Sequence, residues 1–261
     1  MPGRTGFRLP ARGLLFLAVP DGAVSEMATR IASMKPPAEL AIVHVSGALG
    51  LDALGALQGN PRGSFHPLQS FPAPREPVAF RGITVAVDAT TPTLMRRLRA
   101  LARAIGAKPR QVGDEDRVLY HAAAVYASNF VDVVVAEAVR LLGEIGWTER
   151  EATQALMPLV EGAVSNIRRR GVVEALTGPI RRGDAETVKR HLEALEKVRR
   201  SPSGASRHLP MNGEETVLIY RMLALVALRI ALEAGLDPAA AERTRRALTR
   251  NVAATRRRSG E

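Results

Sequence analysis

The pattern of apolar and polar positions divides the chain into two rhythms. Up to about residue 112, unbroken apolar runs alternate with amphipathic ones. Leu14–Val19 (LLFLAV) reads as a strand, Pro20-Asp21-Gly22 as a sharp turn, and the residues after it as a helix. AIVHVSG is a second strand, ending in Ser46-Gly47, and Leu49–Leu57 is a short helix. GSFHPLQSF gives a short strand with His66 and Pro67, GITVAVDA another, and TPTLMRRLRALARAIG an amphipathic helix. Lys108–Val112 is expected as a last strand at the sheet edge. Strands without polar alternation are buried on both faces, as in a parallel sheet. Alternation with helices argues for a doubly wound sheet whose ligand lies beyond the carboxyl ends of the strands. Pro20, Asp21, Ser46, Gly47, His66 and Pro67 all fall at such ends.

From Asp114 the pattern is helical. Val118–Leu142 (VLYHAAAVYASNFVDVVVAEAVRLL) is apolar yet carries His121, Ser128 and Asp132, which fall within roughly 20° of one line on a single helix at about 100° per residue. With Asn129 beside them, they are expected to wall an active or binding cleft. The plainer alternative is a serine bonded back to its own helix, a histidine satisfied in the core and an aspartate in solvent. Thr148 and Glu151 have the spacing of a capping box, Pro158 should kink the helix that follows, and Gly171 should end it. Asp184 is an expected N-cap, and Ser201–Pro210 a loop by composition. An apolar helix should run from Glu215 to Ala234, with Asp237-Pro238 opening the last one. The apolar faces of Val118–Leu142 and Val217–Ala234 are expected to pack on each other. The division anticipated is 1–113 for the sheet domain, 114–251 for the helical domain and 252–261 for a basic tail.

Composition narrows the chemistry. Of 261 residues, 46% are apolar and 24% charged, as in ordinary globular proteins. The absence of cysteine excludes disulfides, thiol catalysis and cysteine-ligated metal. Five histidines without an HExxH-like spacing give no metal expectation. The net charge is +11, and its basic tail, with no aromatic platform or reading motif, reads as a solvated end rather than a nucleic-acid contact. The apolar run after Arg4, Arg8 and Arg12 is too short for a signal-peptide core. Val217–Ala234 is interrupted by Arg221, Arg229 and Glu233, which argues against a membrane span. The cytoplasm is the expected location.

Taken together, the motifs LAVPDGAV, HVSGALGLDAL, SFHPLQSF, HAAAVYASNF, LMPLVEGAVSN and LTGPIRRGD resemble a family of bacterial Rossmann-like proteins that carry a C-terminal domain of unknown function. These are distant relatives of ketopantoate reductase, pyrroline-5-carboxylate reductase and the 6-phosphogluconate dehydrogenase superfamily. The resemblance runs from Leu14 to about Ala247. It implies an α/β plus all-α protein: a Rossmann-like parallel sheet for NADP or NAD, then a 6-phosphogluconate-dehydrogenase-like helical domain that often forms a homodimer. The sequence departs from that family in having no strand–GxGxxG–helix unit, because Gly3, Gly6 and Gly13 are too widely spaced and follow no strand. The expectation is therefore a partial, N-terminally truncated Rossmann domain. Its Leu14–Val19 strand becomes an apolar edge, and its cofactor binding is weak or lost.

Position in the fold suggests further roles. Val19, Pro20 and Asp21 would lie along the dinucleotide, or form a plain strand-to-helix turn with Asp21 as cap; Ser46-Gly47 would lie near the nicotinamide, because glycine lets the backbone come close, or simply close a strand. His66 and Pro67 would line the substrate cleft or make a rigid turn, and Asp132 would line the cleft or meet solvent. The resemblance alone adds Thr177-Gly178-Pro179 as a clamp, against a plain helix connection. In the superfamily the first long helix after the sheet carries a lysine and an asparagine one turn apart. Asn129 matches the asparagine, while Val125 stands in the lysine position. His121 is the candidate general acid or base in its place, since histidine titrates near neutrality, with Ser128 beside it; the alternative for His121 is a structural or cleft-lining place. The activity implied is reduction of a small keto acid or imine. The alternative is a non-catalytic binding or scaffold protein derived from such an enzyme.

Overall fold

The apolar runs of the first half become five strands in the computed structural model of the chain, which describes residues 8–73, 75–200 and 213–249. They are β1 (Gly13–Leu17), β2 (Leu40–His44), β3 (Arg62–Pro67), β4 (Thr84–Ala89) and β5 (Lys108–Gln111). The expected loop at Ser201–Pro210 and the basic tail lie outside the described residues.

The strands form one sheet in the order β1-β2-β3-β4-β5. Every residue of β2 is buried, the burial on both faces that its unbroken apolar pattern requires. On one face, helix α1 (Asp21–Ser33) and a 3-10 helix over Leu51–Leu57 pack through Val24, Ala28, Ile31 and Leu54 onto Leu17 and Ile42. On the other, helix α2 (Pro92–Ala104) packs Leu94, Leu98 and Ala102 onto Val43, Phe65 and Val87. Thr91 caps α2 by accepting from Leu94 N, with a proline in the first turn. The 3-10 helix is the short helix expected at Leu49–Leu57.

Two features differ from a fully parallel sheet. β3 and β4 are antiparallel, while β1/β2, β2/β3 and β4/β5 are parallel. Among the described residues, the segment joining β3 to β4 holds a short 3-10 helix, Pro77–Phe80, in place of the α-helix that usually carries a parallel crossover. β1 is an edge strand with Phe16 36% exposed, the apolar edge that the sequence anticipates.

The stretch Val118–Leu142 is two helices, not one: α3 (Asp114–Ala127) and α4 (Asn129–Gly143) meet at Ser128, whose φ of −129° and ψ of −81° are not helical. The common line for His121, Ser128 and Asp132 therefore does not survive. Burial is also the reverse of the expectation. α3 buries Arg117 and leaves Val118 and Leu119 72% and 75% exposed.

Chain contacts divide the molecule at Val131/Asp132. α3 thus belongs with the sheet, and the second unit runs from most of α4 through α5 (Glu149–Ala175), α6 (Gly178–Arg181), α7 (Ala185–Arg200), α8 (Gly213–Glu233) and α9 (Pro238–Thr249). Its core joins Val188 and Leu192 of α7, Val217 and Ala224 of α8 and Leu248 of α9, with Leu141 of α4 against them. A second cluster joins Leu228, Ala231, Leu236 and Ala240. The Thr148–Glu151 capping box is formed, and Asp184 and Asp237 cap their helices by accepting from Thr187 N at 3.0 Å and Ala240 N at 2.8 Å. α5 keeps helical dihedrals through Pro158 and breaks instead at Gly171, with φ of 79°, before resuming to Ala175. The glycine supplies the interruption because it adopts that φ without a Cβ penalty.

Candidate functional site

Beyond the carboxyl end of β2 the chain turns through Ser46 and Gly47. Ser46 Oγ accepts from Ala48 N at 3.1 Å and Leu49 N at 3.0 Å, which tightens the turn. Asp114, opening α3, accepts from Leu51 N at 3.0 Å through both carboxylate oxygens. Arg117, one turn further, is fully buried. It donates to Ser64 Oγ on β3, to Val112 O at 3.0 Å and to Ser46 O at 3.4 Å. One guanidinium thus ties together the ends of β2, β3 and β5 and the first turn of α3. Burial lowers its pKa, while Asp88 and Asp114 oppose that change.

On this frame two imidazoles meet. His66, near the end of β3, shares a hydrogen bond of 2.8 Å between Nδ1 and Tyr120 Oη, with the two rings edge-to-face at 5.6 Å. His121, next along α3, lies with its ring centroid 6.4 Å from that of His66. Both reach the backbone of Gly47, where an added Cβ would stand 2.8 Å from His121 Nδ1 and 2.8 Å from His66 Nε2. That is closer than carbon packs, so position 47 requires glycine. His121 Nδ1 is buried without a hydrogen-bond partner, an uncompensated polar atom of the kind that marks functional sites.

The electrostatics keep His66 and His44 neutral near pH 7. His66 is lowered to about 4 by burial first and then by His121 and Arg117, with Asp21 pulling the other way. Fully buried His44, at the end of β2, is lowered to about 4 by burial and by Arg117, against Asp21 and Asp114. Burial raises the Tyr120 phenol. The cluster thus presents a neutral His66 imidazole, able to act as donor or acceptor, beside Gly47. No group of three acidic or histidine side chains able to hold a metal occurs among the described residues.

Residues 83–225, more than half of the sequence, match the family described as domain of unknown function (DUF2520). The chain belongs to that family. Among solved structures, this DUF2520 protein is similar to one from Thermotoga maritima, with a TM-score of 0.68 and 23% identity over 88% of this chain and 81% of that one. It is also similar to a candidate NADP oxidoreductase from Bacteroides fragilis, with a TM-score of 0.66 and 22% identity over 83% and 75%. Both show the fold, a Rossmann-like α/β unit followed by a helical unit. No curated protein matches the sequence.

Of the residues singled out from the sequence, the DUF2520 chain brings Ser46, Gly47, His66 and His121 together, with Asp21 close enough to act on His44 and His66. Pro20 is the N-cap of α1 and exposed, and Val19 is half-buried. Pro67 lines a different cavity of about 850 Å³ on the sheet face, with Phe16, Phe65 and Phe80. Ser128 forms the break between α3 and α4, and Asn129 is exposed. Asp132, also exposed, and Thr177, Gly178 and Pro179 belong to the second unit. There Thr177 and Gly178 line a cavity of about 610 Å³ with Arg170, Arg181 and Asp237. Sequence reasoning missed His44, Ser64, Asp114, Arg117 and Tyr120. The i, i+3, i+4 spacing of Arg117, Tyr120 and His121 places them on one helical face, a signal that was available.

Proposed function

We propose that the chain is an NAD(P)-dependent oxidoreductase-like protein acting on a small keto acid or imine, in the manner of ketopantoate reductase, and that it holds its cofactor weakly. The observation that carries this reading is the convergence of His66 Nε2 and His121 Nδ1 on Gly47, beyond the carboxyl ends of β1 and β2, where open α/β sheets take ligands. His121 exchanges the proton at the substrate, and Ser46-Gly47 offers bare backbone to a flat ring.

The cofactor's phosphates find no such fit. A pyrophosphate needs amide donors at a helix N-terminus, but α1 opens with Pro20, which has no N–H, and with acidic Asp21. Ser46 Oγ already takes the amides of Ala48 and Leu49. No GxGxxG turn occurs among the described residues. Each hydrogen bond to a charged group contributes roughly 1.5 to 3 kcal/mol, and about 1.4 kcal/mol is tenfold in affinity. The expected dissociation constant for NADPH is therefore in the millimolar range or above. Calorimetric titration of the full chain tests this, and micromolar binding would contradict it. The missing phosphate fit also favours a second reading, a non-catalytic binding or scaffold protein, which predicts no turnover even at saturating NADPH.

The same proposal includes a homodimer through the helical unit. Of the 27 residues of α5 only Ala152 is buried, while Met157, Leu159, Val164, Ile167 and Val172 are exposed. α8 buries one face and exposes Leu218, Met222 and Val226 at four-residue spacing on the other. Apolar surface on this scale marks an interface, and a second copy brings the same patch in self-complementary form. Asp114–Gly143 is also apolar and long enough for a membrane span. However, the stretch breaks at Ser128 and carries the Glu137–Arg140 ion pair at 2.9 Å, bonded onward to Thr216, which supports a protein contact instead. The location proposed is the cytoplasm.

A further inference from the structure

Tyr120 and the direction of its hydrogen bond decide which nitrogen His66 turns toward a ligand. The phenol is kept protonated by burial, and its oxygen lies 2.8 Å from His66 Nδ1. A phenol O–H turned onto Nδ1 makes that nitrogen the acceptor. On a neutral imidazole the ring proton then sits on Nε2, the nitrogen that reaches the backbone of Gly47 beside His121 Nδ1.

We infer that His66 is a fixed Nε2–H donor, locked in that tautomer by Tyr120, and that the site therefore selects carbonyl compounds such as 2-keto acids over protonated imines. The location of the ligand rests on the reductase reading; the tautomer does not. A carbonyl oxygen accepts from Nε2–H and is polarised by it, in the way that preorganised donors stabilise developing negative charge. An iminium nitrogen presents its own N–H, so donor faces donor and both go unpaired, a mismatch that weakens binding about tenfold to a hundredfold.

The surroundings favour a neutral donor over a cationic one. Burial, His121 and Arg117 all disfavour a charge on His66, and Asp21 is the opposing carboxylate. Arg117 does not take the donor's place: it is fully buried, and its two terminal nitrogens are committed to Ser64, Val112 and Ser46. Tyr120 is a positioning residue: it acts through His66.

Imidazole ¹⁵N–¹H spectra of the full chain test the lock. The expected result is a His66 that carries its proton on Nε2, accepts at Nδ1 and stays neutral from about pH 5 to about pH 8. Tyr120→Phe keeps the ring contact, loses the O–H and should give mixed tautomers. Pyruvate should move the Nε2 signal in the parent chain and bind about tenfold more weakly to Tyr120→Phe, one lost hydrogen bond's worth. The cyclic imine 1-pyrroline, titrated at about pH 5 where it is the iminium while His66 is still neutral, should leave the signal in place. A proton found on Nδ1, with pyruvate still bound, would overturn the inference and leave the reductase reading standing. An equal response to 1-pyrroline would overturn the selectivity. An Nε2–H tautomer that answers to neither compound would overturn the selectivity through failure of the reductase reading itself.

Discussion

In the sheet unit, α3 turns Arg117 inward and leaves Val118 and Leu119 outside; in the helical unit, α5 turns almost nothing inward. The first unit closes its own core on both faces of the sheet and uses polar side chains to lock the strand ends. The second has two small clusters around α7, α8 and α9, and long apolar faces left over. Buried polar groups that bond across strands, as Arg117 does to Ser64, specify one geometry, which a reaction site needs. Leftover apolar faces specify a contact that one copy of the chain does not make. On the proposed function, the chemistry belongs to the first unit and association to the second.

The largest test of that division removes the contact. Leu159→Glu with Val164→Glu on α5 should convert the protein to monomers and cost several kcal/mol, since burying a Leu or Val side chain is worth about 1.5 to 3 kcal/mol. Sedimentation velocity reads the change, and dimers that persist would break the comparison.

The next removes the lock. Arg117→Met strands Ser64 Oγ and the carbonyls of Ser46 and Val112, and should destabilise the sheet unit by about 3 kcal/mol, at roughly 1 to 3 for each buried group left unpaired. Urea unfolding followed in the two units separately should show no change in the helical one. An effect well under 1 kcal/mol would mean that desolvating the guanidinium cancels its bonds.

A third separates the units by pH. His44 titrates at about 4 when folded and 6.5 when unfolded, so between those values the unfolded chain binds more protons and stability rises with pH. The contribution is complete above about 6.5 and is lost as pH falls toward 4; for His44 it is on the order of 3 kcal/mol. In the helical unit, burial works against the charge on Glu137, but bonds from Arg140 and Thr216 outweigh it and lower its pKa. Its contribution is present above the ordinary carboxylate range and is lost only as pH falls below it. Acid should therefore loosen the sheet unit first. His44→Leu should flatten the sheet unit's profile, and an unchanged profile would contradict the assignment.

Much of this architecture was legible because local chemistry decides it. The Thr148–Glu151 box, the caps at Asp184 and Asp237 and the apolar edge at Leu14–Leu17 follow from short spacings. The break at Ser128 was not legible, since Ser-Asn inside an apolar run differs little from a continuing helix. Arg117 and Tyr120 escaped notice because their partners, Ser64 and His66, lie more than fifty positions away, and periodicity carries no record of such pairs.

The most direct measurement is hydrogen–deuterium exchange on the full chain with and without NADPH at millimolar concentration. If the sheet unit holds the site, protection should rise at Val19–Asp21, at Ser46–Gly47 and around His66 and His121, while α5, which the proposed dimer covers, stays unchanged. Protection confined to the helical unit, or none at all, would contradict the account.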